Sequence, residues 1–331
     1  MKYALISIAI VSGLCGVTKA HEFWIEPQTH HTKPGTAIGV GLRLGERFLG
    51  EVFRRDDALI DKFVAVGPDG EQHIVGLSGA TTSFARFDKP GAYVLGYRSH
   101  RTPHEMDADR FEAYLKEEGL GAIIPQRAKL NESDKPGREV FSRCAKSLVL
   151  VGDTSDRGYK RKLGFPLEIV PESNPLTLKP GNKLPVRILF NGKPLKDAKV
   201  VAVSKQTPSK MQTALSNNNG LVHFELPRGG AWMITTIHMT RVPELAEADW
   251  ESFWASFTFE ITEPNETTAT SQERSKPAAK NGDDGKRASR REVPGKEPAT
   301  GHRANRASVR MPHMAAAQNR CTPPPQSCRP S

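Results

Sequence analysis

The feature that most constrains the fold is a series of short segments in which apolar and polar side chains alternate, each closed by a turn that contains proline or glycine. Residues 36–44 alternate in this way after the turn at 33–35, and residues 59–66 do so before the turn at 67–70. Alternation with a period of two is typical of half-buried strands and not of helices. The chain is therefore predicted to be mainly β and to fold as β-sandwiches.

One inserted helix is expected to interrupt the strands, near residues 107–118. Asp107 can cap its start, Phe111 and Tyr114 share one face at helical spacing, and Gly119 provides a stop. The helix is short and belongs to the first of two β-rich units, so it does not change the predicted fold class.

The second half of the chain repeats the strand pattern as a smaller unit. The hairpin signal Asn191-Gly192 opens a segment that reads Gly-Lys-Pro-Leu-Lys-Asp-Ala-Lys-Val up to Val200. This segment resembles the seven-stranded sandwiches of transthyretin-like and carboxypeptidase-regulatory-like domains, which are usually non-catalytic. We predict an N-terminal β-rich domain over residues 21–170 and a C-terminal β-sandwich over residues 171–263.

Residues 1–20 have the pattern of a secretory signal peptide. Lys2 gives a short basic start, an apolar stretch follows to residue 17, and Thr18 and Ala20 are small residues at the −3 and −1 positions of a cut. The apolar stretch is too short to span a bilayer comfortably, and no other long apolar run follows it. We expect an exported, periplasmic protein that has no transmembrane span after cleavage.

The net charge of +10 lies mainly outside the two predicted domains. Residues 264–331 contain 13 lysines and arginines against 6 acidic residues, and the signal adds Lys2 and Lys19. Residues 21–263 are therefore nearly neutral, which argues against a nucleic-acid-binding face. The segment 264–331 has almost no large apolar residues and cannot bury enough surface to offset chain entropy, so we predict a disordered basic tail.

A cut after Ala20 would make His21 the first residue of the mature protein. A terminal histidine offers its α-amine and its imidazole, which together can close a chelate ring on one metal ion. The unperturbed pKa of an α-amine is about 7.7–8.0, so a metal can displace the proton near neutrality. A nitrogen-rich, near-square site suits Cu(II) or Ni(II). We predict a divalent transition metal, Cu, Ni or Co, at this terminus.

One further imidazole would complete a three-nitrogen site. His238, at the end of a predicted strand, is the first choice, and His100 and His104, four residues apart, are the second. Glu22 is an oxygen ligand beside His21. None of these residues has the spacing of a structural zinc site.

Enzyme signatures are missing from the sequence. It has no GxSxG elbow, Walker loop, HExxH motif or dinucleotide fingerprint. The paired carboxylates Glu117 and Glu118 are interpreted as a solvated helix face. Two alternatives to simple metal binding stay open: a copper-dependent oxidative enzyme built on the same histidine, and a structural module without metal that binds a carbohydrate or a protein.

Four segments together resemble the domain-of-unknown-function 4198 family: residues 21–27, 96–99, 111–120 and 248–256. The resemblance covers about residues 21–263. Members of this family are exported bacterial proteins that are described as periplasmic components of nickel or cobalt uptake (NikM-like). The resemblance implies a periplasmic role in transition-metal handling, with a metal transporter or another cell-envelope component as the partner.

Overall fold

The computed structural model describes residues 22–153, 157–242, 244–245 and 247–262. These residues form eighteen strands and two short α-helices. The strands are β1 Glu22–Pro27, β2 His31–Thr32, β3 Thr36–Glu46, β4 Leu49–Phe53, β5 Ile60–Gly67, β6 Gly70–His73, β7 Ser83–Phe87, β8 Gly91–Ser99, β9 Thr102–Met106, β10 Gly137–Val151, β11 Leu167–Pro171, β12 Asn182–Phe190, β13 Lys193–Pro194, β14 Lys199–Ser204, β15 Gln212–Leu215, β16 Leu221–Leu226, β17 Gly230–Arg241 and β18 Trp250–Ile261. The helices are α1 Ala108–Glu117 and α2 Ile124–Lys129. The prediction of a mainly β fold is confirmed.

The strands form three sheets in the described part of the chain. The central sheet has ten strands, in the order β15-β14-β17-β18-β10-β8-β5-β6, with β2 and β9 also paired to β10. One four-stranded sheet contains β1, β3, β4 and β7, and another contains β11, β12, β13 and β16. Most neighbours are antiparallel, but β10 and β18 at the middle of the central sheet run parallel.

The two small sheets cover opposite faces of the central sheet, as the alternation along β8 shows. Tyr93 and Leu95 are buried in a core with residues of β1, β3 and β7, whereas Ala92 and Val94 are buried in a core with residues of β11, β12 and β16. We call these two faces the β1 face and the β12 face. Two sandwiches therefore share one sheet.

The domain boundary that the sequence predicts, between residues 170 and 171, stays a prediction. Strand β11 spans that point, and the central sheet takes β5, β8 and β10 from one side of it and β14, β17 and β18 from the other. The predicted signal peptide and tail lie outside the described residues.

Helix α1 packs on the β1 face, close to where β1 begins. Phe111, Tyr114 and Leu115 are buried, as their spacing predicts, in a core with Trp250 of β18 and Met239 of β17. The chain leaves the helix through Gly119, which has a φ of 75°. A left-handed residue at this position is the usual way to end a helix, and it directs the chain into α2.

The ring of Phe111 lies directly over Gly137, so helix α1 can pack at this distance only because residue 137 has no side chain. A Cβ at Gly137 would lie 2.1 Å from Phe111 Cγ, and the Arg127 guanidinium lies 4.8 Å from the centre of the same ring. We predict that Gly137→Ala lowers the free energy of unfolding by about 1–3 kcal/mol through overpacking. Urea unfolding measures this effect. Gly121→Ala is the control, because a Cβ there would meet nothing within 4 Å; equal stability of the two variants would contradict the prediction.

Candidate functional site

A pocket of about 190 Å³ opens where β1 begins, on the β1 face of the central sheet. We call it the Glu22 pocket. Strand β1 supplies Glu22, and the other polar residues come from the β3–β4 turn, the end of α1, and strands β14, β15, β17 and β18. Its charged and hydroxyl-bearing lining residues are Glu22, Glu46, Arg47, Glu117, Glu118, Lys199, Thr213, Thr235, Thr236 and Ser256.

Two carboxylates of the Glu22 pocket, those of Glu22 and Glu118, have raised pKa values. Burial raises the pKa of Glu118 to about 7; Lys199 opposes this shift, while the charges of Glu117, Glu22 and Glu46 add to it. Burial also raises the pKa of Glu22, although its carboxylate accepts a hydrogen bond from the Phe48 amide at 3.3 Å. A pocket with several carboxylates that compete for charge favours a bound cation.

Lys199 is a positively charged residue that lines this pocket, but its ammonium group already has a hydrogen-bond partner. It donates a hydrogen bond to the backbone carbonyl of Glu117, at the C-terminal end of α1. A cation at this end of a helix interacts favourably with the helix dipole. Lys199 thus holds the end of the helix against β14 and neutralises the pocket only in part.

A buried hydroxyl without a partner also lines the pocket. Ser256 of β18 is 2% exposed, and among the described residues its Oγ has no hydrogen-bond partner. It lies opposite Thr235 of β17, a neighbour of the Glu22 carboxylate. Buried polar atoms nearly always have a partner, so this hydroxyl indicates a place for a water molecule or a ligand atom.

Three side chains in contact, those of Trp254, Tyr114 and Glu139, connect this pocket to His104. Trp254 lines the pocket, and its ring is stacked on Tyr114 with centroids 6.1 Å apart. Burial and the charge of Glu139 raise the pKa of Tyr114 well above its usual value. Glu139 is 2% exposed, and its Oε1 lies 3.8 Å from Nδ1 of His104, its Cα partner across β9 and β10.

The other predicted histidines lie elsewhere. His238 of β17 faces the β12 face, where its ring packs against Phe190 with centroids 4.4 Å apart and burial lowers its pKa. His100 is exposed and follows β8, with its amide bonded to the Leu59 carbonyl. The structure therefore brings neither His238 nor His100 to Glu22.

The predicted ligand set is incomplete in the part of the chain that the structure describes. His21 lies outside the described residues. Within the described ranges, no three His, Cys, Asp or Glu side chains are grouped so as to hold a metal ion. The metal site at His21 with Glu22, His238, His100 and His104 stays a prediction.

Sequence reasoning missed most of this pocket. It interpreted Glu117 and Glu118 as a solvated helix face, whereas Glu118 is half-buried and both residues line the pocket. A signal was present, because acidic residues in the last turn of a helix oppose the helix dipole and call for another explanation. No local pattern indicates that Ser256 lines this pocket or that Glu139 is buried beneath His104.

The model of the family described as "Domain of unknown function (DUF4198)" matches residues 18–240. The chain belongs to this family. A comparison with curated proteins gives no match. The description of the family names no activity, so the function has to be inferred from the site.

Comparison with solved structures gives remote matches. The "D0-D1 domain of Intimin" is 14% identical, with a TM-score of 0.18, and the match covers 72% of this chain and 97% of that one. A two-domain fibronectin type III segment from chicken tenascin is 13% identical, with a TM-score of 0.17, and the match covers 71% and 98%. Similarities at this level support no functional argument. Separately, none of the described helices is long and apolar enough to cross a membrane.

Proposed function

We propose that the protein is a periplasmic binder of a divalent transition metal, Cu, Ni or Co, and that the metal is held at the terminus created by cleavage before His21. The observation that carries the proposal is the position of Glu22. This residue, one peptide bond after His21, is the first residue of β1 and lines a pocket that it shares with Glu46, Glu117 and Glu118. Consecutive Cα atoms are about 3.8 Å apart, so the α-amine and imidazole of His21 would be attached next to these carboxylates.

His104 is the better candidate for the third nitrogen than His238. His104 lies on the β1 face, as the Glu22 pocket does, because its partner Glu139 is four residues from Arg143 on β10 and shares its side of the sheet, and Arg143 packs on Phe23 of β1. Trp254, Tyr114 and Glu139 lie between the pocket and His104, so the third ligand would reach the metal from the far side of these residues. His238 lies on the opposite face. A metal-binding imidazole commonly donates its second N–H to a carboxylate. Glu139 lies at ion-pair distance, 3.8 Å, from Nδ1 of His104, and shortening this contact to a hydrogen bond would leave Nε2 for the metal.

The remaining carboxylates would act mainly through their charge. They lower the electrostatic cost of placing a divalent ion at the pocket, and the buried Ser256 hydroxyl offers a hydrogen bond to a water molecule on the ion. Carboxylate ligands alone would favour Mg²⁺ or Ca²⁺, whereas amine and imidazole nitrogens select Cu²⁺ or Ni²⁺. The terminal histidine therefore decides which metal binds.

The test uses calorimetry with CuCl₂ and NiCl₂ on the mature full-length protein, after intact mass has shown that it begins at His21. We expect about one equivalent to bind tightly. One extra alanine before His21 should abolish that binding, because it removes the amine–imidazole chelate. His104→Ala should weaken binding, and Glu139→Gln should weaken it about 10–100-fold.

Matched controls separate the site from general effects. His238→Ala and His73→Ala remove half-buried and exposed imidazoles elsewhere and should leave the affinity unchanged. Equal binding by the mature and the extended protein, or a mass that shows a different cut, would refute the proposal. Oxygen consumption with copper and a reductant would indicate the oxidative enzyme instead of a binding protein.

A further inference from the structure

A second charged site lies on the other side of β1, between the two sheets of the first sandwich. The guanidinium carbon of Arg143, on β10, lies over three phenyl rings from three different strands. Its distances to the ring centres are 4.9 Å for Phe23, 5.2 Å for Phe53 and 5.5 Å for Phe141. We call these four residues the Arg143 box.

The guanidinium in this box lacks an anionic partner. In the described part of the chain, the side chain of Arg143 has no hydrogen bond and no ion pair, while its backbone amide donates to Ser99 Oγ and its backbone pairs with Trp254 in the β10–β18 ladder. Other arginines differ: the buried Arg127 donates to the carbonyls of Glu132 and Lys135, and the exposed Arg101 binds both carboxylate oxygens of Glu251. Five N–H donors of Arg143 are therefore available.

Among the described residues, Arg143 is half-buried and has no anionic side chain against it, and none of its nitrogens is fully buried, so its N–H groups can be reached from solvent. Burial lowers the pKa of Arg143, and within the described ranges the titratable group that acts on its charge is the phenol of Tyr97. Tyr97 is itself buried, and burial raises its pKa to about 12, so it stays neutral at physiological pH. The three rings stabilise the cation through their π faces, but they satisfy none of its N–H groups.

A planar anion would satisfy these donors, and the rings restrict which anion fits. The guanidinium presents a planar fork that pairs with two carboxylate oxygens at once. Beside that fork, the half-buried rings of Phe53 and Phe141 present apolar surface, whereas Phe23 is buried behind them. We propose that the Arg143 box binds a small organic carboxylate with an apolar body, its carboxylate on Arg143 and its carbon skeleton against the rings.

This site differs from the proposed metal site in place and in charge. Phe23 follows Glu22 on β1 and also lines the Glu22 pocket, but Arg143, Phe53 and Phe141 do not line that pocket. The Glu22 pocket is acidic, whereas the Arg143 box carries a cation. Binding at the box requires neither a metal nor His21, so either proposal can fail alone.

The test is a titration of the full-length protein with sodium benzoate, against sodium chloride at equal ionic strength, followed by the NMR signal of the arginine Nε–H groups. We expect one arginine signal to shift saturably with benzoate. Arg143→Lys should weaken binding at least about tenfold, because lysine keeps the charge but loses the bidentate fork. Arg143→Met should abolish binding, and Arg86→Lys, which changes an exposed arginine paired with Asp88, should leave it unchanged.

Any of three results would overturn the proposal. A benzoate response that is the same in the wild-type protein and in Arg143→Lys, or no saturable response at all, shows that the box is only a packing contact. Inorganic phosphate that binds as tightly as benzoate refutes the assignment to a carboxylate. If Arg143→Met does not fold, Arg143→Lys and the wild-type NMR titration still decide the question.

Discussion

Lys146→Met should lower the free energy of unfolding by about 3–5 kcal/mol, because it leaves a buried carboxylate without its counter-ion. The side chains of Lys146 and Glu168 are 1% and 4% exposed, and Nζ lies 3.0 Å from Glu168 Oε2. Burial lowers the pKa of Lys146, and the charge of Glu168 opposes that shift. The pair joins β10, in the middle of the central sheet, to β11 on the β12 face.

Glu168 also organises the loop before β11. Its two oxygens accept hydrogen bonds from the amides of Leu163, Gly164 and Phe165 at 2.9–3.2 Å. Glutamine in place of Glu168 can still accept some of these bonds. The double variant Lys146→Met, Glu168→Gln should therefore be more stable than Lys146→Met alone, since no unpaired charge stays buried.

Urea unfolding of the two single variants and the double variant gives the coupling energy of the pair. The control is Glu225→Gln, whose partner Lys183 is 66% exposed and whose own side chain is 69% exposed. An exposed pair of this kind contributes about 0–1 kcal/mol. If Lys146→Met costs no more than this control, the buried pair is not a main source of stability.

The second large effect is a loss of stability in mild acid that depends on His30. This residue is 7% exposed, and its Nδ1 lies 2.7 Å from the Leu148 carbonyl oxygen, so the neutral ring donates from Nδ1. Burial lowers the pKa of His30 to about 4 from an ordinary value of 6.5. Between these two pH values the unfolded chain takes up a proton that the folded chain excludes.

The free energy of unfolding should therefore fall as the pH falls from 6.5 to about 4, by about 3 kcal/mol from His30 alone. Urea unfolding at several pH values in this window, for the wild-type protein and for His30→Gln, measures the difference. The comparison of the two proteins removes other titrating groups, such as Glu118, from the result. Parallel pH profiles would show that His30 does not titrate differently in the folded and unfolded states.

The elements that local patterns determine could be predicted from the sequence. Alternation in residues 22–27 predicts β1, because a half-buried strand repeats every two residues. The spacing of Phe111 and Tyr114 predicts α1 for the corresponding reason at a period of 3.6. In both cases the period of the apolar residues is sufficient to select the element, although β1 is buried on both of its sides, at Phe23 and Ile25 on one and at Trp24 on the other.

The pairing of distant strands could not be predicted in the same way. Residues 139–147 pair in parallel with residues 250–258. No local feature of either segment predicts that it pairs with the other. For this reason the sequence predicts two sandwiches but not the sheet that they share. The candidate site follows from that sheet, since Glu22, Glu118 and Ser256 are far apart in the chain.

The central position of β18 has a mechanical consequence. Along most of its length β18 is hydrogen-bonded to β10 on one side and to β17 on the other, and it is the last described strand before the basic C-terminal segment. Tension applied to that segment pulls β18 along its own axis. Both ladders are then loaded in shear at the same time and must yield together, so the protein resists force at its C-terminal end as a single anchored unit.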